Sequence, residues 1–267
     1  MDFTLYWFMF PVAIAVATCA MLSGIGGAAL FTPIFVLVFP LLGPEYVLES
    51  TMTAVAAALF TQTFGFLSGF VGYWRRKLID YQLAFRFLRI SVPIGFVGAL
   101  TASHMHDSAL LAGYALLVFT LAFGLWFGHM KTPHLKTPNA PLTALGAFMT
   151  GMVSVGIGEV TVAQLTRRGT PIAIAAATSV MVVIVTVLVA STTLIVQLVR
   201  DGGWTAVPWD LLVYDVPGVL IGGQIGPLLA GRVSQRTMQR AIAVLFIAIS
   251  LAMATVAVSR WLLPASL

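Results

Sequence analysis

The chain is a succession of long apolar runs separated by short polar breaks. The runs cover about 5–22, 28–42, 47–72, 83–103, 109–129, 141–155, 170–199, 211–230 and 237–263. Most of them approach or exceed the roughly 20 residues that an α-helix needs to cross a hydrocarbon core. The pattern therefore predicts an all-α integral membrane protein.

Two of the breaks share a glycine-rich phrase, Gly24-Ile25-Gly26-Gly27 and Gly156-Ile157-Gly158-Glu159. Glycine is a poor helix former, so each phrase is expected to interrupt a helix. The arm after the first phrase, 28–39, covers only about 18 Å, which is short for a crossing. We predict that each phrase lies at the tip of a re-entrant hairpin, which enters and leaves on one side. The first hairpin is expected to be lopsided or tilted, because 5–22 is almost long enough to span alone.

The two halves of the chain align with each other. A break at 131–141 contains two Lys, one His and three Pro, and it divides the chain into repeats 1–135 and 136–267. Thr51 aligns with Thr178, and Val92-Pro93 with Val216-Pro217. Internal repeats of this length in a membrane protein are typical of transporter folds. Each repeat is expected to hold a hairpin or broken helix and about three full crossings.

Composition supports the membrane assignment and excludes other classes. Hydrophobic residues make up 60% of the chain and charged residues only 9%, against about 25% charged in soluble domains. The net charge of +5 comes from basic residues in short loops, with no basic cluster interleaved with aromatic residues. Nucleic acid is therefore not an expected partner, whereas the lipid bilayer is.

The distribution of Lys and Arg favours one orientation. With re-entrant hairpins the halves are inverted, and all basic residues except Arg200 and Arg260 lie on one face. With an even number of crossings in each half, the repeats are parallel and the 14 basic residues split nine to five. The stronger asymmetry predicts inverted-topology repeats with both termini outside.

The glycine breaks are also candidates for chemistry. Exposed backbone N–H groups at membrane depth are tolerated only against protein or a water-filled cavity, and the start of a helix favours anions. Two tips from opposite faces would meet near the midplane and form a small-anion site. Alternatively, the glycines only allow tight turns, and the nearby hydroxyls and amides only join helices. The candidate substrate-binding residues are the tips and polar positions of the helices that follow: Gly24, Ile25, Gly26, Gly27, Thr51, Thr53, Gln62, Gly156, Ile157, Gly158, Thr178 and Ser179.

Glu159 takes the place of Gly27 in the second phrase. An ionisable residue within the membrane is a functional candidate, although a carboxylate can also simply cap the following helix. A charged Glu159 would repel an anion and a protonated one would admit it, so we predict a coupling proton at this residue. Asp215 is expected to reach the interface by snorkelling. The loop pair His104 and His106 is weak evidence for a metal.

Cofactors and catalysis are not expected. The single cysteine, Cys19, excludes an internal disulfide and a cysteine metal site. The sequence contains no P-loop, nucleophile elbow or zinc-protease motif, so an enzyme has no support. The oligomeric state is not readable from the pattern.

Several stretches resemble a known family. "GIGGAALFTPIF", "ESTMTAV", "GYWRRKLIDYQLAF" and "PIGFVGAL", with weaker copies in the second half, resemble the TauE/SafE family of sulfite and organosulfur-compound exporters. The resemblance covers about residues 12–255.

This resemblance implies a function and a location. It implies a secondary transporter in a prokaryotic inner membrane, which exports sulfite or a related sulfur oxyanion or organosulfonate past the glycine tips. The family commonly has a further glycine where Glu159 stands. Two alternatives remain open: an anion channel for small oxyanions, and a non-transporting sensor or assembly subunit.

Overall fold

All of the regular secondary structure in the described residues is helical. The computed structural model describes residues 4–23, 26–127, 138–229 and 235–262. The α-helices, in chain order, are α1 (Met9–Ser23), α2 (Ala28–Pro33), α3 (Phe39–Leu42), α4 (Thr51–Arg75), α5 (Tyr81–Ala102), α6 (Asp107–Phe127), α7 (Ala140–Val153), α8 (Ile157–Arg167), α9 (Ile172–Gly202), α10 (Trp209–Leu229) and α11 (Gln235–Leu262). A π-helical segment, Ile34–Val38, joins α2 to α3.

Five of these helices are long and apolar enough to cross a membrane. They are α4, α5, the Asp107–Gly124 part of α6, α9 and α10. The predicted all-α integral membrane fold is therefore confirmed. The sequence of elements also repeats: α4, α5 and α6 follow the first hairpin, and α9, α10 and α11 follow the second. The expected division of the chain near 135 falls outside the described residues and stays a prediction.

The first glycine phrase separates the arms of a hairpin. The ring of Tyr6, just before α1, packs against Phe39 of α3 and Tyr46 beyond it. The Tyr6 hydroxyl also donates a hydrogen bond to the Tyr46 carbonyl at 3.3 Å. The chain therefore returns to the end where α1 began. With 15 residues, α1 is about 22 Å long, less than the roughly 30 Å of a hydrocarbon core.

The second glycine phrase separates α7 and α8, which form a corresponding hairpin. The backbone N–H of Asn139, just before α7, donates to the Gln164 side-chain oxygen near the end of α8 at 2.8 Å. The amide nitrogen of Gln164 donates in turn to the Thr143 hydroxyl at 3.0 Å. Gln164 thus holds α7 and α8 together at the end of the hairpin opposite the tip. This is the structural role expected for a buried amide between helices.

The packing of helices is symmetric between the halves. The counterparts by position are α1 and α7, α4 and α9, α5 and α10, and α6 and α11. The main packed pairs are α1 with α10, α5 with α7, α4 with α10, α5 with α9, α4 with α9, and α6 with α11. When each helix in these pairs is exchanged for its counterpart, the same list of packed pairs results. An internal duplication predicts this symmetry.

Residue contacts also give the relative helix directions. Three glycines of α4 face successive positions of α10: Gly65 against Val219, Gly69 against Gly223, and Gly72 against Pro227. The two helices therefore run in the same direction. Helices α5 and α9 do so as well, because Thr178 accepts the N–H of Asp80 at 3.0 Å and Thr186 contacts Ser91 at 2.8 Å.

This arrangement supports an inverted repeat. Helices α4 and α5 of the first half each run alongside the counterpart of the other, in the same direction, as expected for inverted repeats whose consecutive helices are antiparallel. Close backbone approach through small residues makes these contacts possible. The orientation of the halves across the membrane stays a prediction.

Candidate functional site

The two hairpin tips are in direct contact. The backbone N–H of Gly26, in the first tip, donates to Glu159 Oε1 at 3.1 Å. The hydroxyls of Thr32 and Ser154 are 2.7 Å apart, and the Ser154 hydroxyl reaches the carbonyl of Ala28 at 3.5 Å. All of these groups are buried, so the contact between the tips is part of the protein interior.

The second tip is a tight turn that only particular residues can form. Ser154, the residue after α7, has a φ of 68°, and Gly156, just before α8, has a φ of 139°. A Cβ atom at Gly156 would lie 2.5 Å from the carbonyl oxygen of Gly146. Glycine is therefore required at this position by both conformation and space. The Thr150 hydroxyl accepts the Ile157 N–H at 2.7 Å and satisfies one donor at the start of α8.

Glu159 links this turn to the first tip. Its Oε2 accepts the Gly156 N–H at 3.0 Å, its Oε1 accepts the Gly26 N–H, and its side chain is only 5% exposed. Capping of α8 was one of the two roles expected from the sequence, and the structure has this cap. The hydrogen bond from Gly26 also connects Glu159 to the other half of the chain, which a local helix cap does not do.

The surroundings of Glu159 supply dipoles rather than a positive side chain. Helices α2 and α7 contain no titratable residue, and the basic residue of α8, Arg167, is about 12 Å further along that helix. Tyr114 of α6 is near, and its hydroxyl donates to the carbonyl of Ala29 at 2.5 Å. Within the described residues, the recorded partners of the Glu159 carboxylate are backbone N–H groups.

Gln62 of α4 holds the first tip from another side. Its side-chain oxygen accepts the Ala28 N–H at 2.6 Å, and the residue is 3% exposed. A Cβ atom at Gly26 would lie 3.3 Å from Gln62 Nε2 and 3.5 Å from Glu159 Oε1. The first tip therefore lies between an amide and a carboxylate, with its backbone close to both.

Other predicted site residues have different placements. The Ser179 hydroxyl donates to the Gly158 carbonyl at 3.1 Å and so contacts the second tip. The Thr178 hydroxyl instead accepts a hydrogen bond from Asp80, which caps α5 as expected. In the first tip, Gly27 accepts hydrogen bonds that begin α2. Gly24 and Ile25 lie outside the described residues.

Thr51 and Thr53 occupy the first turn of α4. The N–H of Thr53 donates to Ser50, the N-cap, and the N–H of Thr51 donates to Asp107, each at 3.0 Å. This turn is about 16 Å along α4 from Gln62. The hydrogen bonds of Thr51 and Thr178 described here therefore join one helix to another. The first tip is contacted by Gln62 instead.

Sequence reasoning did not select four residues that contact the tips: Thr32, Tyr114, Thr150 and Ser154. Thr150 and Ser154 are four residues apart just before the second phrase, so their proximity to it was a usable signal. Thr32, five residues after Gly27, gave a similar signal. Tyr114 gave none, because α6 reaches the first tip only through the tertiary fold.

One end of the second hairpin is positively charged. Burial lowers the pKa of Arg168, which follows α8, and the nearby charge of Arg86 lowers it further. Arg86, in the second turn of α5, and Arg168, after the end of α8, are therefore close enough for their charges to interact. A positive potential at a protein surface raises the local concentration of anions.

Two broken-helix hairpins that meet inside a bundle of long apolar helices are typical of multi-pass membrane transporters. The family described as "Sulfite exporter TauE/SafE" matches residues 9–253, and the chain belongs to this family. The resemblance noted in the sequence is thus confirmed.

One curated relative agrees with this class. The chain is 24% identical over 248 residues to "Probable membrane transporter protein YjnA" of Bacillus subtilis (strain 168). The match covers 84% of this chain and 91% of that protein. No solved structure matches the chain.

Proposed function

We propose that this protein exports sulfite, or a related small sulfur oxyanion or organosulfonate, across a prokaryotic inner membrane, coupled to protons. The observation that carries the proposal is that one carboxylate accepts the backbone N–H groups of both hairpin tips, at Gly26 and Gly156. Family membership supports the substrate class.

The geometry at the tips matches the chemistry of a small oxyanion. Two N–H donors lie 3.0 and 3.1 Å from two oxygens of one negatively charged group. Sulfite and sulfonates also present oxygens that share a negative charge, and backbone amides at helix starts bind such groups well. We therefore assign the space now held by the Glu159 carboxylate to the substrate in the loaded state.

Exchange between this carboxylate and the substrate provides the coupling. Two negative groups cannot share one buried site without a large energetic cost. A proton on Glu159 removes its charge and weakens it as an acceptor. Binding of the anion and protonation of Glu159 therefore favour each other, so the anion and a proton cross together. Net export follows when the outward gradient of the anion exceeds the inward gradient of protons.

The groups around Glu159 are consistent with this role. Helices α2 and α7 bring no titratable side chain, α6 brings Tyr114, and α8 itself brings Arg167. Helix α4 carries Tyr73 and Arg75, and α9 carries Arg200 and Asp201, in each case near the C-terminal end of the helix. In this proposal a proton, rather than a basic side chain, therefore neutralises the Glu159 carboxylate.

Purified protein in liposomes tests the proposal. An imposed pH gradient should drive sulfite uphill in the wild type. Glu159→Gln should allow at most downhill flux, with no response to the gradient. The matched control is Glu49→Gln, the same change at an exposed loop position, which should behave as the wild type.

Three results would contradict the proposal. Gradient-driven uptake in Glu159→Gln equal to that of the wild type would remove Glu159 from the coupling. Downhill flux that never concentrates sulfite would identify a channel. The absence of flux for any sulfur anion would favour a sensor or assembly subunit.

A further inference from the structure

Asp215 is a second acidic residue buried within the helix bundle. It lies on α10, about 9 Å beyond the start of that helix, and its side chain is 0% exposed. The expectation that Asp215 snorkels to the interface is therefore wrong. Its Oδ2 lies 3.5 Å from the Thr61 hydroxyl of α4, and its Oδ1 has no hydrogen-bond partner in the described structure.

The helices packed against α10 bring no counter-charge to this carboxyl group. These are α1 and α4. The titratable residues of these two helices are Cys19 on α1, and Tyr73 and Arg75 on α4. Tyr73 and Arg75 are about 18 and 21 Å along α4 from Thr61. Cys19 is exposed and next to Thr18, which reaches the carbonyl of Gly222, two turns beyond Asp215.

On α10 itself, the neighbouring titratable residues are Asp210 and Tyr214, and neither is basic. An ionised carboxylate at Asp215 would thus be buried without a cation and with one long hydrogen bond. A buried charge without such partners is strongly disfavoured, whereas a protonated acid carries no charge to compensate.

The position of Asp215 also connects it to the anion site. Its hydrogen-bond partner Thr61 precedes Gln62, which accepts the Ala28 N–H of the first tip. Pro217, two residues after Asp215, lies inside α10 and leaves the Val213 carbonyl without its helical donor. Helices α4 and α10 meet through Gly65, Gly69 and other small residues. The broken hydrogen bond at Pro217 makes this the point at which α10 can bend relative to α4.

We propose that Asp215 is a second proton-binding site, separate from the hairpin tips. It holds a proton while α10 is packed against α4, and it gives the proton to water when the two helices separate and the carboxylate becomes hydrated. Thr61 and Gln62 are consecutive residues of α4. The same movement therefore alters the hydrogen bond between Gln62 and the first tip. This step rests on the proposed transport function, but the proton site itself does not.

Infrared spectroscopy of the purified protein tests the proton site without any anion. The carbonyl band of a protonated carboxylic acid should be present at neutral pH, lost in Asp215→Asn and retained in Asp215→Glu. Thr61→Val should shift the band, because it removes the hydroxyl beside Oδ2. Asp210→Asn, on the first turn of the same helix, is the matched control and should leave the band unchanged. An acid band of wild-type size in Asp215→Asn would overturn the proposal.

The transport step is tested by the pH dependence of sulfite flux in liposomes. Asp215→Asn keeps the residue permanently neutral, so flux should respond less steeply to pH than in the wild type, while the response due to Glu159 remains. An Asp215→Asn protein with wild-type flux and an unchanged pH profile would overturn the link to transport. If no sulfur anion is carried, the proposed function fails while the infrared result still decides the proton site.

Discussion

Glu159 Oε1 accepts the backbone N–H of Gly26 at 3.1 Å, although 133 positions separate the two residues. The other oxygen of the same carboxylate accepts the Gly156 N–H at 3.0 Å. One side chain therefore satisfies a donor in each of the two hairpins. A change at this carboxylate must affect both tips at once, which makes its role measurable.

Glu159→Ala should destabilise the protein and make it more responsive to anions. The change leaves two buried N–H groups without acceptors, at a cost of about 1–3 kcal/mol each. Sulfite should therefore raise the melting temperature of Glu159→Ala in detergent more than that of the wild type, because its oxygens can replace the missing carboxylate. Glu49→Ala, at an exposed position, is the control. Equal stabilisation of Glu159→Ala and wild type by sulfite would argue against an anion site at the tips.

Gly156→Ala should prevent the second tip from forming its present turn. Its Cβ atom would lie 2.5 Å from a backbone oxygen, in addition to the strain of a φ of 139°. Gly169→Ala is the matched control, since it has a φ of 83° but open space around the added atom. We expect roughly 1–2 kcal/mol of destabilisation for Gly169→Ala, from backbone strain alone.

The comparison of the two glycine variants separates strain from steric clash. Thermal unfolding in detergent should show a distinctly larger loss for Gly156→Ala than for Gly169→Ala, together with a loss of sulfite flux. Similar stability of the two variants would mean that the close approach to Gly146 does not constrain the tip.

The sequence predicted the hairpins because local chemistry determines them. The two Gly-Ile-Gly phrases interrupt helices because glycine is a poor helix former, and a glutamate three residues into a helix has a free N–H within reach. Length distinguished the arm after the first glycine phrase from spanning helices such as α4 and α9. These features depend on neighbouring residues, so no tertiary information was needed.

The remaining contacts depend on which helix faces pack together. The apolar residues of α10 surround it on all sides, so the sequence does not indicate that Asp215 faces α4 rather than the interface. The contact of Tyr114 with the first tip likewise depends on where α6 lies. Thr51 and Thr178 were predicted as equivalent substrate-binding positions, yet the Thr51 N–H donates to Asp107 and the Thr178 hydroxyl accepts the Asp80 N–H. Such choices are made by the packed bundle as a whole.

Gln62→Leu should loosen the first tip. The change keeps the size of the side chain but leaves the Ala28 N–H without its acceptor, which costs about 1–3 kcal/mol. We expect a lower melting temperature and weaker sulfite binding, with the pH response through Glu159 retained. Gln82→Leu, at an exposed position of α5, is the control. Unchanged sulfite binding in Gln62→Leu would show that the first tip does not need this hydrogen bond.

The inverted arrangement predicts where the ends of two counterpart helices lie. Lys77 follows α4 and Asp201 is at the end of α9, so a single cysteine at each position, in a Cys19→Ser background, should be labelled from opposite faces of the membrane. Because the inverted topology puts 12 of the 14 basic residues on the face of Lys77, it predicts that Lys77→Cys reacts only from the cytoplasm and Asp201→Cys from outside. An impermeant maleimide applied to intact cells and to inverted vesicles measures this. Parallel repeats would place both cysteines on the same face, and labelling of both from one side would therefore overturn the inverted topology.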